Sequence, residues 1–351
     1  MDDRVKVLVV DDSSFVRTIV SRKLNSDSGI DVIGTASDGF EALEKVKELQ
    51  PHVITLDVMM PNMDGLTFLE RIMSECPVPV VMLSALTREG ADITMKAIEM
   101  GAVDFILKPT VLSPVDDNST AATLMEKIKA AAHIKVKTRK SSNSESYASY
   151  KVNGFRNSPN GHLKTLIIGT STGGPKALMQ VIPNLPGDLP AQVLVVQHMP
   201  PLFTKSLAER LDNASQLTVK EAKEGDHARQ GQVLLAPGDY HMTISADCKV
   251  SLNQNPPRWG VRPSVDATME SVATSFGSSS LGVIMTGMGV DGTKGSSSIK
   301  SAGGSIIVED ESTCAVYGMP MSVVNAGYAD AVVPLHNIAA AIVKYCSMES
   351  S

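Results

Sequence analysis

Five polar residues stand directly after strand-like apolar runs in the first third of the 351-residue chain. Asp11 and Asp12 follow Val7-Leu8-Val9-Val10, Asp57 follows Val53-Ile54-Thr55-Leu56, Ser84 follows Val80-Val81-Met82-Leu83, and Lys108 follows Phe105-Ile106-Leu107. Buried parallel strands would bring all of them to one edge of one sheet, the carboxyl edge where open α/β sheets bind ligands. Three carboxylates cannot crowd there unaided. Two unit charges about 4 Å apart repel by ~4 kcal/mol at an effective dielectric of roughly 20. A divalent cation relieves the repulsion, and carboxylates plus a backbone carbonyl suit Mg2+, which keeps several waters and shares phosphate oxygens. Asp57 is the natural nucleophile, since an aspartate carboxylate can form an acyl phosphate. Lys108 adds a cation and Ser84 a hydroxyl for the phosphoryl oxygens. Pro61 and Gly65 bracket a tight turn that would bring a carbonyl near Met59 to the metal. Taken singly, each residue has a structural reading: Asp12 or Ser13 would N-cap a helix carrying Phe15, Ile19, Val20 and Leu24. Their shared register on successive β/α units favours a phosphoryl-accepting switch.

A second set lies further on. Leu166-Ile167-Ile168 runs into Gly169-Thr170-Ser171-Thr172-Gly173-Gly174-Pro175, Val193 to Gln197 runs into His198, and Val283 to Thr286 runs into Gly287-Met288-Gly289-Val290-Asp291-Gly292. The serine stands in a G-x-S-x-G pattern between a strand and a helix. Small neighbours permit a sharp turn there, and the helix start offers N–H groups to an oxyanion. His198 would take the Ser171 proton and Asp291 would orient the imidazole. The chain order Ser, His, Asp differs from the Ser, Asp, His of α/β-hydrolases. Alternatives stay open on these residues alone. GTSTGG could cradle a phosphate, although the full GxGxxG and an acidic ribose partner are missing. His241 and His227 are rival bases.

The elements that must position these groups fall into two α/β stretches. Apolar runs at 5–10, 31–36, 53–58, 78–83 and 103–107 alternate with helical patterns such as 40–46 and 121–132, predicting five β/α units over 1–132. Residues 133–161 are polar and rich in Ser and Asn and read as a linker. From 162 to 347 the alternation resumes, with strands near 165–169, 192–197, 281–286 and 305–308. Helices are expected near 174–182, 202–211, 264–275, 293–301 and 336–345. Between 217 and 253 short strands and turns predict a small antiparallel region on a mainly parallel sheet.

Composition bounds the function. A net charge of −6 and 4% aromatic residues argue against nucleic acid or an anionic membrane as partner. Cys76, Cys248, Cys314 and Cys346 lack CxxC spacing, as expected of reduced cytosolic thiols. No run of about 18 apolar residues is present, and Met-Asp-Asp-Arg leads straight into a strand without a signal peptide. These features predict a cytoplasmic protein without direct membrane insertion. A DNA-binding regulator would need a basic helix-turn-helix after the linker, where the chain instead continues its α/β pattern.

Residues 4–125 resemble the receiver domain of two-component response regulators, through VVDDS at 9–13, LDVMMPNMDG at 56–65, LSA at 83–85 and GAVDFILKP at 101–109. The resemblance implies a flavodoxin-like five-stranded domain phosphorylated on Asp57. In it Asp11, Asp12 and Asp57 hold Mg2+, and Ser84, Phe105 and Lys108 form the switch. Met60 stands at a variable position, which implies at most altered dephosphorylation. Residues 164–345 resemble the catalytic domain of the chemotaxis protein-glutamate methylesterases, the CheB family. The matching segments are IGTSTGGP at 168–175, QHMPPLFTKSLAERL at 197–211, APGDYHM at 236–242, RPSVD at 262–266, TGMGVDG at 286–292 and YGMP at 317–320. That resemblance implies a doubly wound, mainly parallel α/β domain with Ser171 as nucleophile, His198 as base and Asp291 as orienting acid. It places the oxyanion donors at Thr172 and Met288 and requires no cofactor for ester hydrolysis. Thr170, where alanine is common, is a departure that removes no catalytic group. The implied substrates are glutamate γ-methyl esters and particular glutamines on methyl-accepting chemotaxis receptors, with a chemotaxis histidine kinase as phosphodonor. The resemblance also implies steric control, the unphosphorylated receiver covering the esterase cleft. The alternative is a receiver-controlled receptor-binding module without catalysis.

Overall fold

The computed structural model describes residues 4–108, 118–134 and 164–347. The expected linker at 133–161, after His133 and Ile134, lies outside the described residues, as does Pro109. The chain divides into two compact units, Met1–Glu145 and Ser146–Ser351.

The first unit runs β1 (Val5–Val10), α1 (Ser14–Leu24), β2 (Ile30–Ala36), α2 (Gly39–Leu49), β3 (Val53–Asp57), α3 (Gly65–Glu75), β4 (Val80–Ser84), α4 (Arg88–Met100), β5 (Asp104–Leu107) and α5 (Asn118–Ala132). Its five strands are parallel in the order β2-β1-β3-β4-β5. Every position of β3 and β4 is buried, so these strands read as continuous apolar runs rather than alternating ones. Asp38, Asp64 and Thr87 accept backbone N–H bonds at the starts of α2, α3 and α4. Such caps satisfy donors that a helix start leaves unpaired. Val7, Val9, Val20, Leu24, Leu83 and Ile128 form part of one core. The connections from β1 and β3 leave in opposite directions, which opens a crevice at their carboxyl ends.

The second unit runs β6 (Lys164–Thr170), α6 (Gly174–Val181), β7 (Ala191–Gln197), α7 (Phe203–Ala214), β8 (Thr218–Glu221), β9 (Gln232–Leu235), β10 (His241–Ile244), β11 (Val250–Asn253) and α8 (Val265–Phe276). It continues with β12 (Ser280–Ile284), α9 (Thr293–Ser301), β13 (Ser305–Glu309), α10 (Gly318–Asn325), β14 (Ala331–Val333) and α11 (Leu335–Ser347). Seven parallel strands stand in the order β14-β13-β12-β6-β7-β9-β8. The antiparallel region is the β10–β11 hairpin, a separate two-stranded sheet. β8 and β9 instead extend the main sheet in parallel. Sequence patterning overlooked α10 and β14. The first has Gly318 and Pro320 in its opening turn, where proline is tolerated but reads as loop, and the second is only three residues long.

β6 leads through α6 to β7 on one side, whereas its other neighbour β12 leads through α9 to β13 on the far side. The switch point therefore lies between β6 and β12. The Ser171 turn and the 285–292 loop leave from those two strands. Gly169 lets α8 approach closely: a Cβ there would lie 2.5 Å from Val265 Cγ1. Among the described residues no helix is long and apolar enough to cross a membrane.

Candidate active site

At the carboxyl edge of the first unit, Asp11, Asp12 and Asp57 offer carboxylate oxygens that all lie within 4.8 Å of one another. Asp11 and Asp57 are buried and Asp12 is exposed. Lys108 Nζ sits 2.9 Å from Asp11 Oδ2 and 2.7 Å from Asp57 Oδ2. Burial pushes the Asp57 pKa upward, and the Asp11 charge adds to this, while Lys108 and the Met59 N–H offset part of it. Burial would depress the Lys108 pKa, yet the two carboxylates hold it above its ordinary value. Arg17 Nη1 donates to the Asp11 and Asp12 carbonyls at 2.7 and 3.0 Å, fixing the loop that carries both acids. This dense set of hard oxygen donors, short of compensating cations, fits a divalent ion such as Mg2+.

Met59 takes part through its N–H, which donates to Asp57 Oδ1 at 3.3 Å. Gly65 permits that turn, since any side chain there would overlap the Asp57 carbonyl oxygen. Ser84 Oγ turns toward α4, donating to the Gly90 carbonyl at 3.2 Å and accepting from Thr94 Oγ1 at 2.8 Å. Phe105 is buried, with Lys127 Nζ 5.4 Å from its ring centroid. Ser13, not Asp12, caps α1.

In the second unit His198 Nε2 and Asp291 Oδ2 lie 2.8 Å apart. Asp291 is buried and accepts from Ser264 Oγ at 2.9 Å, Val265 N at 2.6 Å, Asp266 N at 2.9 Å and Gly292 N at 3.1 Å. Three of these donors belong to the start of α8. The loop before α9 thus supplies the cap of α8, while Asp266 of α8 returns the favour by accepting from Gly292 N at 2.9 Å and Gly295 N at 2.7 Å. Burial alone would raise the Asp291 pKa. The His198 ring and the backbone N–H groups of Asp266 and Val265 bring it below its ordinary value.

Ser171 begins the turn after β6. Its N–H donates to the Thr286 carbonyl at 3.0 Å, and the His198 N–H donates to the Thr170 carbonyl at 3.1 Å. A Cβ on Gly287 would lie 2.8 Å from Ser171 Cβ. The three triad candidates thus leave three adjoining strands. Thr172 is buried, and its carbonyl accepts from Thr286 Oγ1 at 2.9 Å. Met288 is partly buried, and its N–H has no hydrogen-bond acceptor among the described residues. His241 is no rival base: Nδ1 accepts from Ser264 N and Nε2 faces the Pro256 carbonyl, both at 3.2 Å. Burial also lowers its pKa, in keeping with a neutral structural ring. His227 is exposed and pairs in a bridge with Lys249.

Both units resemble known proteins. The CheB methylesterase family model matches residues 166–342, and the response regulator receiver model matches residues 7–118. The protein-glutamate methylesterase/protein-glutamine glutaminase of Symbiobacterium thermophilum is 49% identical over 98% of this chain and 99% of its own length. The protein of that name from Thermotoga maritima is 46% identical over 96% of this chain and 98% of its own length. The chain belongs to the CheB methylesterase family. The crystal structure of the Thermotoga maritima CheB methylesterase catalytic domain covers 52% of this chain and 97% of that one, with 49% identity and a TM-score of 0.51.

Several residues of this CheB-family site carry no motif of their own in the sequence. Gln197 Oε1 accepts from Thr170 Oγ1 at 2.6 Å while its Nε2 donates to the Ser171 carbonyl at 2.9 Å, tying the Ser171 turn to the β7 end. Thr170, the departure noted above, thereby acquires a positioning contact. Glu309, buried at the end of β13, accepts from Thr286 N at 2.8 Å and Thr313 Oγ1 at 3.1 Å; burial raises its pKa. A polar residue closing an apolar strand was the signal available for both. Ser264 and Asp266 carried only the signal of a helix start.

Proposed function

We propose that this chain is a phosphorylation-controlled enzyme that hydrolyses glutamate γ-methyl esters, and deamidates particular glutamines, on methyl-accepting chemoreceptors. The observation that carries the reading is the 2.8 Å His198–Asp291 pair, formed by residues that follow the two strands flanking β6, the strand that leads into the Ser171 turn. His198 Nε2 is committed to Asp291, so Nδ1 is the atom left to take the Ser171 proton. Ser171 Oγ attacks the side-chain carbonyl, and the oxyanion takes N–H bonds from Thr172 and Met288. Protonated His198 gives its proton to the ester oxygen, or to the amide nitrogen of glutamine, as its bond to carbon breaks; methanol or ammonia leaves and an acyl-enzyme remains on Ser171. Water deprotonated by His198 then attacks the acyl carbon, freeing the glutamate and the serine. The names of the relatives support both reactions.

Residues 1–132 serve as the receiver, 133–161 as the connection and 162–347 as the esterase. Asp57 accepts the phosphoryl group from a chemotaxis histidine kinase, with Asp11 and Asp12 completing the oxygen set for Mg2+. Bound there, Mg2+ would neutralise the acids and the phosphoryl oxygens. Ser84 leaves Gly90 to donate to the phosphoryl group, Lys108 holds another of its oxygens, and Phe105 completes the switch. The reaction takes place in the cytoplasm.

Methanol release from methylated chemoreceptor membranes, with and without Mg2+ and acetyl phosphate, tests both halves. Release stimulated by the phosphodonor, and reduced about 10⁴-fold or more in Ser171→Ala, is expected. Receptor binding without release by the phosphorylated protein would favour the non-catalytic module.

A further inference from the structure

Trp259 is the single tryptophan of the chain, and it is 54% exposed. It sits at the tip of a two-residue turn whose flanks, Arg258 and Val261, exchange backbone hydrogen bonds of 3.1 and 2.9 Å. Both central residues have positive φ, 53° at Trp259 and 76° at Gly260. Such turns favour Asn, Asp or Gly at the first central position, and a bulky side chain is sterically disfavoured there. A strained residue persists where its surroundings fix it and points to function.

The surroundings of Trp259 are those of the catalytic acid. Its indole Nε1 donates to Asp266 Oδ2 at 2.9 Å. Asp266 is completely buried and uses Oδ1 to hold the N–H groups of Gly292 and Gly295. Gly292 follows Asp291, and its N–H is shared with Asp291 Oδ1. The Asp266 N–H also donates to Asp291 Oδ1. One buried carboxylate therefore joins an exposed ring to the loop that carries Asp291. All three partners of the Asp266 carboxylate are donors, two backbone N–H groups and the indole, as a carboxylate beside a second carboxylate needs. The indole supplies the only side-chain donor among them. Exposed Lys294 lies against the outer part of this arrangement, its Nζ 4.9 Å from the ring centroid. Ring and ammonium together present an aromatic, cationic face suited to a glutamate-rich segment.

We propose that Trp259 is a substrate-reading positioning residue: its ring packs on the receptor segment bearing the ester, and its indole N–H steadies the Asp291 loop through Asp266. This rests on the esterase reading above. Trp259 is held by Asp266 on one side and is 54% exposed, so the residue that steadies the loop is also within reach of a partner.

The test uses full-length protein with Mg2+ and acetyl phosphate on methylated receptor membranes. Trp259→Phe keeps a ring and removes the N–H; kcat is expected to fall about tenfold, the scale of one hydrogen bond to a charged group, at unchanged KM. Trp259→Leu removes both and is expected to raise KM about tenfold as well, as loss of an aromatic contact does. The single tryptophan permits a direct binding readout: 5-fluorotryptophan in Ser171→Ala protein should give one fluorine resonance that shifts on adding a methylated receptor fragment. Wild-type kcat and KM in both variants, or an unmoved resonance at saturating receptor, would overturn the proposal. So would parallel losses of kcat and melting temperature without a split in KM. Failure of the esterase reading looks different, because then the wild type itself releases no methanol.

Discussion

Asp57 and Asp291 are the same residue type, both buried at the carboxyl edge of a parallel sheet, yet their proton affinities move in opposite directions. Asp57 meets one backbone N–H at 3.3 Å, the Lys108 ammonium, and the repelling charge of Asp11. Asp291 meets four hydrogen-bond donors and the His198 ring. Burial raises both; at Asp291 the His198 ring and then the backbone N–H groups outweigh it, whereas at Asp57 Lys108 does not and the Asp11 charge adds to it. A carboxylate left short of donors suits a site that must gather a cation and a phosphoryl group. One saturated with donors suits a fixed anion that never leaves its place.

The largest test of that contrast is Asp291→Asn. An amide cannot replace a carboxylate facing His198 and four donors, so kcat for methanol release should fall by about 10⁴, with Asp57 phosphorylation intact. Near-normal turnover would break the comparison. Gly287→Ala is the next largest. The added carbon would press on Ser171 at 2.8 Å, and displacement of the nucleophile should cost about 10² in kcat with KM little changed. Asp57→Asn probes the donor-poor acid and should abolish stimulation by acetyl phosphate. The raised pKa of Asp57 means that its ionised form costs stability at neutral pH. Asn should therefore raise the melting midpoint of the first unit and weaken stabilisation by Mg2+. The smallest effect concerns Glu41, whose pKa falls from 4.5 to about 2, first through Lys45 and then through the Ser37 N–H. Its contribution is present above pH 4.5 and is lost as pH falls toward about 2. Urea titrations should show a flatter acid limb in Glu41→Gln, by under about 1 kcal/mol given solvent screening.

Much of the fold was legible because buried parallel strands are continuous apolar runs. Val53 to Leu56 and Val193 to Val196 stand out without help, and the polar residue after each marks the sheet edge. β8 and β9 did not reveal their parallel pairing, since four-residue strands carry no information about their partners. Ser171, His198 and Asp291 were visible as strand-end residues, but His241 looked as good a base as His198. Only the fold sets them apart: both nitrogens of His241 face backbone groups, whereas His198 faces Asp291. Asp266 could not be picked out, because an acid in the first turn of a helix is ordinary sequence.

The sequence by itself determined two α/β units, the carboxyl-edge residues of each, and the chemistry those residue types permit. These follow from hydrophobic runs and turn residues, which act locally. Tertiary structure alone decided which acid is donor-rich and which donor-poor, and that α8 and α9 exchange caps through Asp291 and Asp266. It alone tied the exposed Trp259 to the loop that carries Asp291. Those outcomes depend on where backbone N–H groups from distant segments converge, and hydrogen-bond geometry across the fold has no signature in a linear pattern.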